Sequence, residues 1–336
     1  MKILIASKNR IPVVAYGGTE RVIWDLGREL VALGHEVAYL VKPGSRCDFG
    51  QVLNYDKRQP FLPQVLEAVR HSQAQVVHFQ SNPFDSQEQS LDFPVPYLLT
   101  AHGNAEPGTW FPRNTIFISH DHARRHGAQA VVYNGLHWDS YGPVDWTLQR
   151  QHFHFLGNVG WPFKNFQGAV EVAMAAQVTL RVMGGKRLQI KRGFRFTPQR
   201  NVRFHGQTGG AEKFRLLNTS KGMVFPVTWH EPFGLAIVES MYFGCPVFAT
   251  PYGAIQEIVT PECGWLGHSV QAMAEQLLGA ERFNSQACHA RARDVFNAQR
   301  MARGYAKHYT QVLDGSALNA DFPSSHEFDQ RLPWTA

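Results

Sequence analysis

Two spacings of apolar residues alternate along the chain. The uninterrupted apolar run within residues 2–6 (KILIA) predicts a short buried strand, and residues 19–37 (TERVIWDLGRELVALGHEV) switch to a helical period. There Val22, Ile23, Leu26, Leu30 and Leu33 recur at three- and four-residue steps, and Gly34 stands where a helix C-cap glycine is expected. Residues 36–41 (EVAYLV) return to a strand pattern. Strand, helix and strand in this order predict a βαβ unit with parallel strands and a right-handed crossover.

The same rhythm predicts a helix near 61–71 and strands at 75–79, 96–100, 115–118 and 130–132, closing a first domain at 1–136. Residues 135–150 (GLHWDSYGPVDWTLQR) lose periodicity and carry Gly, Pro and Asp, which places a linker at 137–152. The pattern restarts at 153–157 (FHFLG). A helix follows at 165–176, strands at 178–183 and 201–205, a helix at 210–217, a strand at 222–226, a helix after Pro232 and a strand at 246–249. These form a second domain at 153–300, and 301–336 is read as a C-terminal helix and polar tail, with a return to the first domain left open. The expected fold class is α/β: two tandem Rossmann-like, doubly wound parallel-sheet domains facing a central cleft, with ligands beyond the carboxyl ends of the strands.

Composition narrows the function classes. The 336 residues exceed the roughly 100–200 of one domain, and 44% hydrophobic with 18% charged content argues against disorder. A formal charge of +6 makes an anionic partner plausible without choosing among a nucleotide, a phosphorylated acceptor, an acidic membrane face or nucleic acid. Cys47, Cys245, Cys263 and Cys288 lie far apart with no zinc spacing, so they read as reduced packing residues. The N-terminal apolar run is too short for a signal peptide, and no run reaches the roughly 18 residues of a membrane span. A soluble, cytoplasmic protein is expected.

Candidate chemistry begins at HEPFGLAIVES, residues 230–240, where Glu231 and Glu239 flank a short apolar run. An unpaired carboxylate in a core is costly, so either both acids are surface groups or the start of this helix holds something polar. With Pro232 in the first turn, amides at Phe233, Gly234 and Leu235 would face a ligand. Eight residues of helix separate the acids by about 12 Å, more than the roughly 5–9.5 Å of a glycosidase pair, so they suit two parts of one extended ligand, such as the vicinal hydroxyls of a sugar or a ribose. Gly17 and Gly18, at the start of the first helix, could admit an anion to backbone amides or simply form a flexible loop. They are no dinucleotide fingerprint.

Residues 231–259 (EPFGLAIVESMYFGCPVFATPYGAIQEIV) resemble the E-x7-E region of the family 4 retaining glycosyltransferases of the GT-B fold. YGGTERVIWDLGRELVALGHEV, TAHGN, VYNGLHWDSY, FLGNVGWPFKNFQGAVEVA, LRVMGG and NVRFHGQ add matches in the family's order over most of the chain. The resemblance implies that Glu239 binds the donor ribose and Glu231 the transferred sugar, beside Phe233, Gly234 and Leu235. Lys164 would pair with the donor diphosphate, Gly17 and Gly18 would bring amides to it, and His102 would line the sugar pocket. Asn158 stands near where the family usually has an Arg, which leaves Arg10, Lys8 or Lys186 as helpers, or reduced activity.

The implied reaction moves a sugar from a nucleotide-diphosphate sugar, UDP favoured, to an acceptor hydroxyl by a front-face, metal-independent route with no further cofactor. Two alternatives stay open: a non-catalytic sugar-nucleotide-binding protein of the same fold, and an epimerase or phosphorylase. The acceptor is unassigned. An anionic glycan, a phospholipid or RNA remains compatible, as does peripheral membrane contact, because residues 184–200 (GGKRLQIKRGFRFTPQR) carry six cations, two phenylalanines and no acid. The commonest explanation of such a run is a solvated loop. His120, His122 and His126 lack a third ligand of metal spacing and read as a polar helix start. Trp110 and Phe111 could form an acceptor platform or simply pack.

Overall fold

A computed structural model describes residues 1–13, 17–190, 194–326 and 331–335. The chain divides into two compact units, Met1–His137 with Phe296–Phe328, and Trp138–Val295 with Asp329–Ala336. Both are parallel-sheet α/β structures.

The first unit runs β1 (Lys2–Ala6), α1 (Gly18–Ala32), β2 (Glu36–Val41), β3 (Gln51–Asn54), α2 (Phe61–Ser72), β4 (Val76–Phe79), α3 (Gln87–Leu91), β5 (Tyr97–Ala101), β6 (Thr115–Phe117) and α4 (His120–Arg125). Its strands lie in the order β3-β2-β1-β4-β5-β6, all parallel. Gly34 has φ +85°, and its amide donates to the Val31 carbonyl at 2.9 Å, closing the end of α1 as the sequence predicts. Residues 130–132 are not a strand, since only Val131 bridges to Phe117.

The second unit runs β7 (His152–Leu156), α5 (Phe166–Ala175), β8 (Leu180–Met183), β9 (Leu188–Gln189), β10 (Arg195–Phe196), β11 (Val202–Phe204), α6 (Gly210–Asn218), β12 (Ser220–Phe225), α7 (Leu235–Tyr242), β13 (Val247–Ala249), α8 (Ile255–Ile258), β14 (Gly264–Leu266), α9 (Val270–Leu278) and α10 (Ser285–Val295). Its main sheet is β11-β8-β7-β12-β13-β14, the first unit's order repeated, and β9 with β10 forms a separate antiparallel ribbon. Behind the sheet His154, fully buried, bridges the hydroxyls of Ser220 (2.7 Å) and Ser240 (2.9 Å), joining β7, β12 and α7 through a ring that burial keeps neutral.

After α10 the chain returns to the first unit as α11 (Ala298–Leu313), whose Tyr305 and Tyr309 are buried there. Tyr309 bonds to His78 Nδ1 at 2.8 Å, and Thr100 Oγ1 links His78 Nε2 (2.7 Å) to the Tyr305 hydroxyl (2.8 Å). The last residues then pack on the second unit: Leu332 donates to the Thr228 carbonyl and Thr335 to that of His268, both at 2.8 Å. The tail is therefore divided between the units, α11 belonging to the first and the last residues to the second. Among the described residues no helix is long and apolar enough to cross a membrane.

Candidate functional site

In an order of 3-2-1-4-5-6 the chain winds outward in both directions from two central strands, and loops leaving those strands part to form a crevice at their carboxyl ends. In the second unit these strands are β7 and β12, which pair in parallel. The loop after β7 carries Asn158 and Lys164; the loop after β12 carries Glu231. Two bonds tie the loops together: Thr228 N–H to the Phe163 carbonyl and Asn165 Nδ2 to the Pro226 carbonyl, both 2.9 Å. Asn165 also caps α5 by accepting from the Gly168 amide at 3.2 Å.

Within this frame Lys164 Nζ lies 2.5 Å from Glu231 Oε2, and the Trp229 indole donates to the same oxygen at 2.9 Å. The ammonium is also 4.9 Å and 5.0 Å from the ring centroids of Trp229 and Phe225. Glu231 is buried, so its charge is sustained by these donors. Its backbone is fixed by the Ala254 amide (2.9 Å) and by a parallel bridge to Gly253. A Cβ on Gly253, at φ +66°, would lie 2.4 Å from the Glu231 carbonyl oxygen, so only glycine fits.

Glu231 does not belong to the helix. Helix α7 begins at Leu235 behind Gly234, whose φ of +103° sets the turn into it, so Pro232 and Phe233 precede the helix and the 12 Å estimate along a common axis does not apply. Phe233 is buried; Leu235 opens the first turn, in which the amides of Ile237 and Val238 donate to the Gly234 carbonyl at 2.9 and 3.3 Å. Glu239 lies on the buried face of α7. Its Oε1 accepts from Lys213 Nζ at 2.8 Å and from the Tyr141 hydroxyl at 2.5 Å. Each of the two acids is thus held by its own lysine.

Lys213 and Tyr141 are absent from the set the sequence predicts, yet one signal for Lys213 is present. It precedes Leu216 and Leu217 by three and four residues and so falls on the apolar face of α6, where a lysine needs a buried anion. Asn158 brings no charge, and its Oδ1 accepts from the Gly160 amide at 2.9 Å to hold the turn. A guanidinium nevertheless reaches this loop: Arg195 of β10 donates to the Val159 carbonyl at 2.5 Å and lies 4.6 Å from the Phe166 ring centroid. Sequence spacing gives no sign of it, because thirty-odd residues separate the partners.

The first unit offers gentler chemistry. His102, just beyond β5, bonds through Nε2 to Gln80 Oε1 at 2.7 Å, and burial pushes its pKa down to about 4, so the ring is neutral at pH 7. Gly17 precedes α1 with an extended φ, and a Cβ there would meet Glu20 Oε2 at 2.4 Å, so a carboxylate stands where an anion was expected. Gly18 is the exposed first residue of α1; Ala15 and Tyr16 of the same loop lie outside the described residues. Helix α4 does start at His120 behind the Ser119 cap, and within and after it His122 and His126 are buried, donating to the carbonyls of Gly103 (3.2 Å) and His122 (2.8 Å). Phe111 packs in the core against Phe117 and His126, and Trp110 meets Phe322.

Comparison with known proteins supplies the context. Residues 16–138 match the model of the family described as Glycosyltransferase Family 4, and residues 150–280 that of Glycosyl transferases group 1. The chain is 30% identical over 149 residues to a phosphatidyl-myo-inositol mannosyltransferase of Propionibacterium freudenreichii, a match covering 41% of this chain and 37% of that protein. Its fold is that of AviGT4, a glycosyltransferase involved in avilamycin A biosynthesis (TM-score 0.73, 20% identity, 94% of this chain and 98% of that one). It is also that of HepE from Anabaena in complex with UDP and glucose (TM-score 0.65, 17% identity, 92% and 99%).

Proposed function

We propose, for a chain that belongs to the family 4 glycosyltransferases of the GT-B fold, that it transfers a hexose from a nucleoside-diphosphate sugar to an acceptor hydroxyl with retention at the anomeric carbon, UDP being the favoured nucleotide. The observation carrying this reading is the Lys164–Glu231 pair at the carboxyl ends of β7 and β12. Lys164 is the cation for the donor diphosphate. When the donor enters, its phosphate oxygens replace Glu231 as the partner of Lys164, and Glu231 turns to the sugar hydroxyls. Arg195, through its hold on the loop at Val159, supplies the second positive charge that Asn158 lacks.

Transfer breaks the bond from the anomeric carbon to the leaving phosphate oxygen and forms one to the acceptor oxygen on the same face. The acceptor proton passes to the departing phosphate oxygen. Negative charge grows on the diphosphate during this step, so a cation fixed beside it favours the transition state over the ground state. The scheme routes no step through a metal. Glu239, held by Lys213 and Tyr141, takes the ribose hydroxyls. Gly17 and Gly18 lend amides to the phosphates once Glu20 swings away, and neutral His102 accepts or donates one hydrogen bond to the sugar.

Release of nucleoside diphosphate from a panel of UDP-, GDP- and ADP-sugars, with EDTA present and candidate acceptors added, tests the proposal. Release from one donor that Lys164→Ala and Glu231→Ala each lower by roughly a hundredfold or more is expected. Nucleotide binding without release from any donor contradicts it and favours a binding protein.

A further inference from the structure

The β9–β10 ribbon has its polarity reversed. Its register pairs Arg195 with Gln189 and Phe196 with Leu188, so side chains alternate between two faces. The face turned to the domain carries the polar set. Arg187 donates to the carbonyls of Thr197, Gln199 and Val202, and Arg195 to that of Val159. Each guanidinium also lies against an aromatic ring, Phe204 for Arg187 and Phe166 for Arg195. The opposite face carries Leu188, Ile190, Phe194 and Phe196, exposed to 48%, 71%, 79% and 55%.

An ordinary two-sided ribbon hides its apolar face and wets its arginines; here the arginines are consumed as internal fasteners and the apolar side chains are presented outward. Lys186 and Arg200, both exposed, stand just before and just after the ribbon along the chain, and no acid occurs from 184 to 200. We propose that this ribbon is a membrane-docking element that inserts Leu188, Ile190, Phe194 and Phe196 into an anionic lipid bilayer while the neighbouring cations engage phosphate headgroups. Charge complementarity chooses the bilayer, because uncharged apolar partners would not call for a rim made of cations alone. Aliphatic Leu188 and Ile190, which offer no stacking surface for bases, weigh against RNA. The proposal is independent of the reaction assigned above. Through Arg195 the ribbon is fastened to the loop after β7, so docking would hold the Lys164 side of the second unit near the bilayer surface.

Co-sedimentation of the full chain with vesicles tests it, using phosphatidylcholine alone or with roughly one-third phosphatidylglycerol. Sedimentation with the anionic vesicles, weak with neutral ones and declining with salt, is expected. Ile190→Ser with Phe194→Ser should weaken it about tenfold or more, and Lys186→Glu with Arg200→Glu by roughly fivefold for each cation lost. Both variants change exposed side chains only, and unchanged thermal melting confirms their folding. Failure of the wild type to sediment, or equal binding by either double variant, overturns the proposal. So does self-association without vesicles that the serine variant abolishes, which would assign the face to a second copy, or RNA binding lost in the glutamate variant while vesicles are ignored.

Discussion

In the first unit, the polar groups at the carboxyl ends of β4 and β5 meet as neutral partners, His102 against Gln80, while in the second the loops after β7 and β12 bring together opposite charges, Lys164 against Glu231. Strand order is the same in both. A shared topology therefore fixes where loops converge and leaves open what chemistry they hold. Under the proposed function the difference would amount to a division of labour: full charges to hold a diphosphate and stabilise its growing charge, uncharged hydrogen bonding to orient a sugar or acceptor hydroxyl.

The largest effect that separates the units belongs to Lys213. Its side chain and that of Glu239 are almost wholly buried, so Lys213→Met should lower the stability of the second unit by about 3–5 kcal/mol in denaturant unfolding. Adding Glu239→Gln should restore most of the loss, because no uncompensated charge then remains. Equal stability of Lys213→Met and wild type would mean that the pair is solvated and the contrast between the units overstated.

Acid should act on both units through their histidines. His154 titrates at about 3 in the fold and at 6.5 when free, burial being the first cause, and His78 is likewise held well below its usual value. The unfolded chain thus takes up protons first: the contribution of each ring to stability is complete above pH 6.5 and is lost as pH falls toward the folded value, at up to about 1.4 kcal/mol per pH unit. His154→Gln should flatten this slope between pH 6.5 and 4. Asp25 works in the other direction. Buried beside the His137 amide at 3.0 Å, its carboxyl is raised to about 6, so its contribution is complete below the ordinary 3.8 and is lost as pH rises through 6. Asp25→Asn should therefore stabilise the first unit more at pH 8 than at pH 5, and a uniform shift would contradict that assignment.

The smallest expected effect is at His102. Replacement by Asn keeps a neutral hydrogen-bonding group and should lower kcat/KM about tenfold or less. With its pKa at about 4, His102 should leave no inflection near pH 6.5 in the wild-type profile. An inflection there that His102→Asn removes would make the ring an acid–base group and erase the contrast.

Long periodic segments made most of the fold legible: α1, α2, α5 and the buried strands near them follow from apolar spacing alone. The elements that escaped are short or half-exposed. Strand β3 has intermediate and exposed positions only, β14 has three residues, and the ribbon's apolar face points outward, which reads as a loop when buried apolar residues are sought. At the site, Glu231, Glu239 and Lys164 stand out as charges beside apolar runs. Other parts did not: Tyr141 reaches Glu239, and Arg195 the loop at Val159, only through tertiary contact, and the turn at Gly234 moved the helix start to Leu235, four residues beyond Glu231.

The central claim is that Lys164 waits on Glu231 and is taken over by the donor diphosphate. Calorimetric titration of wild type, Lys164→Ala and Glu231→Gln with the nucleoside diphosphate tests it most directly. Lys164→Ala should weaken binding about tenfold or more, whereas Glu231→Gln, which frees the ammonium, should bind the diphosphate as tightly as wild type or tighter while losing turnover. Equal weakening by both variants, or none by Lys164→Ala, would contradict the account.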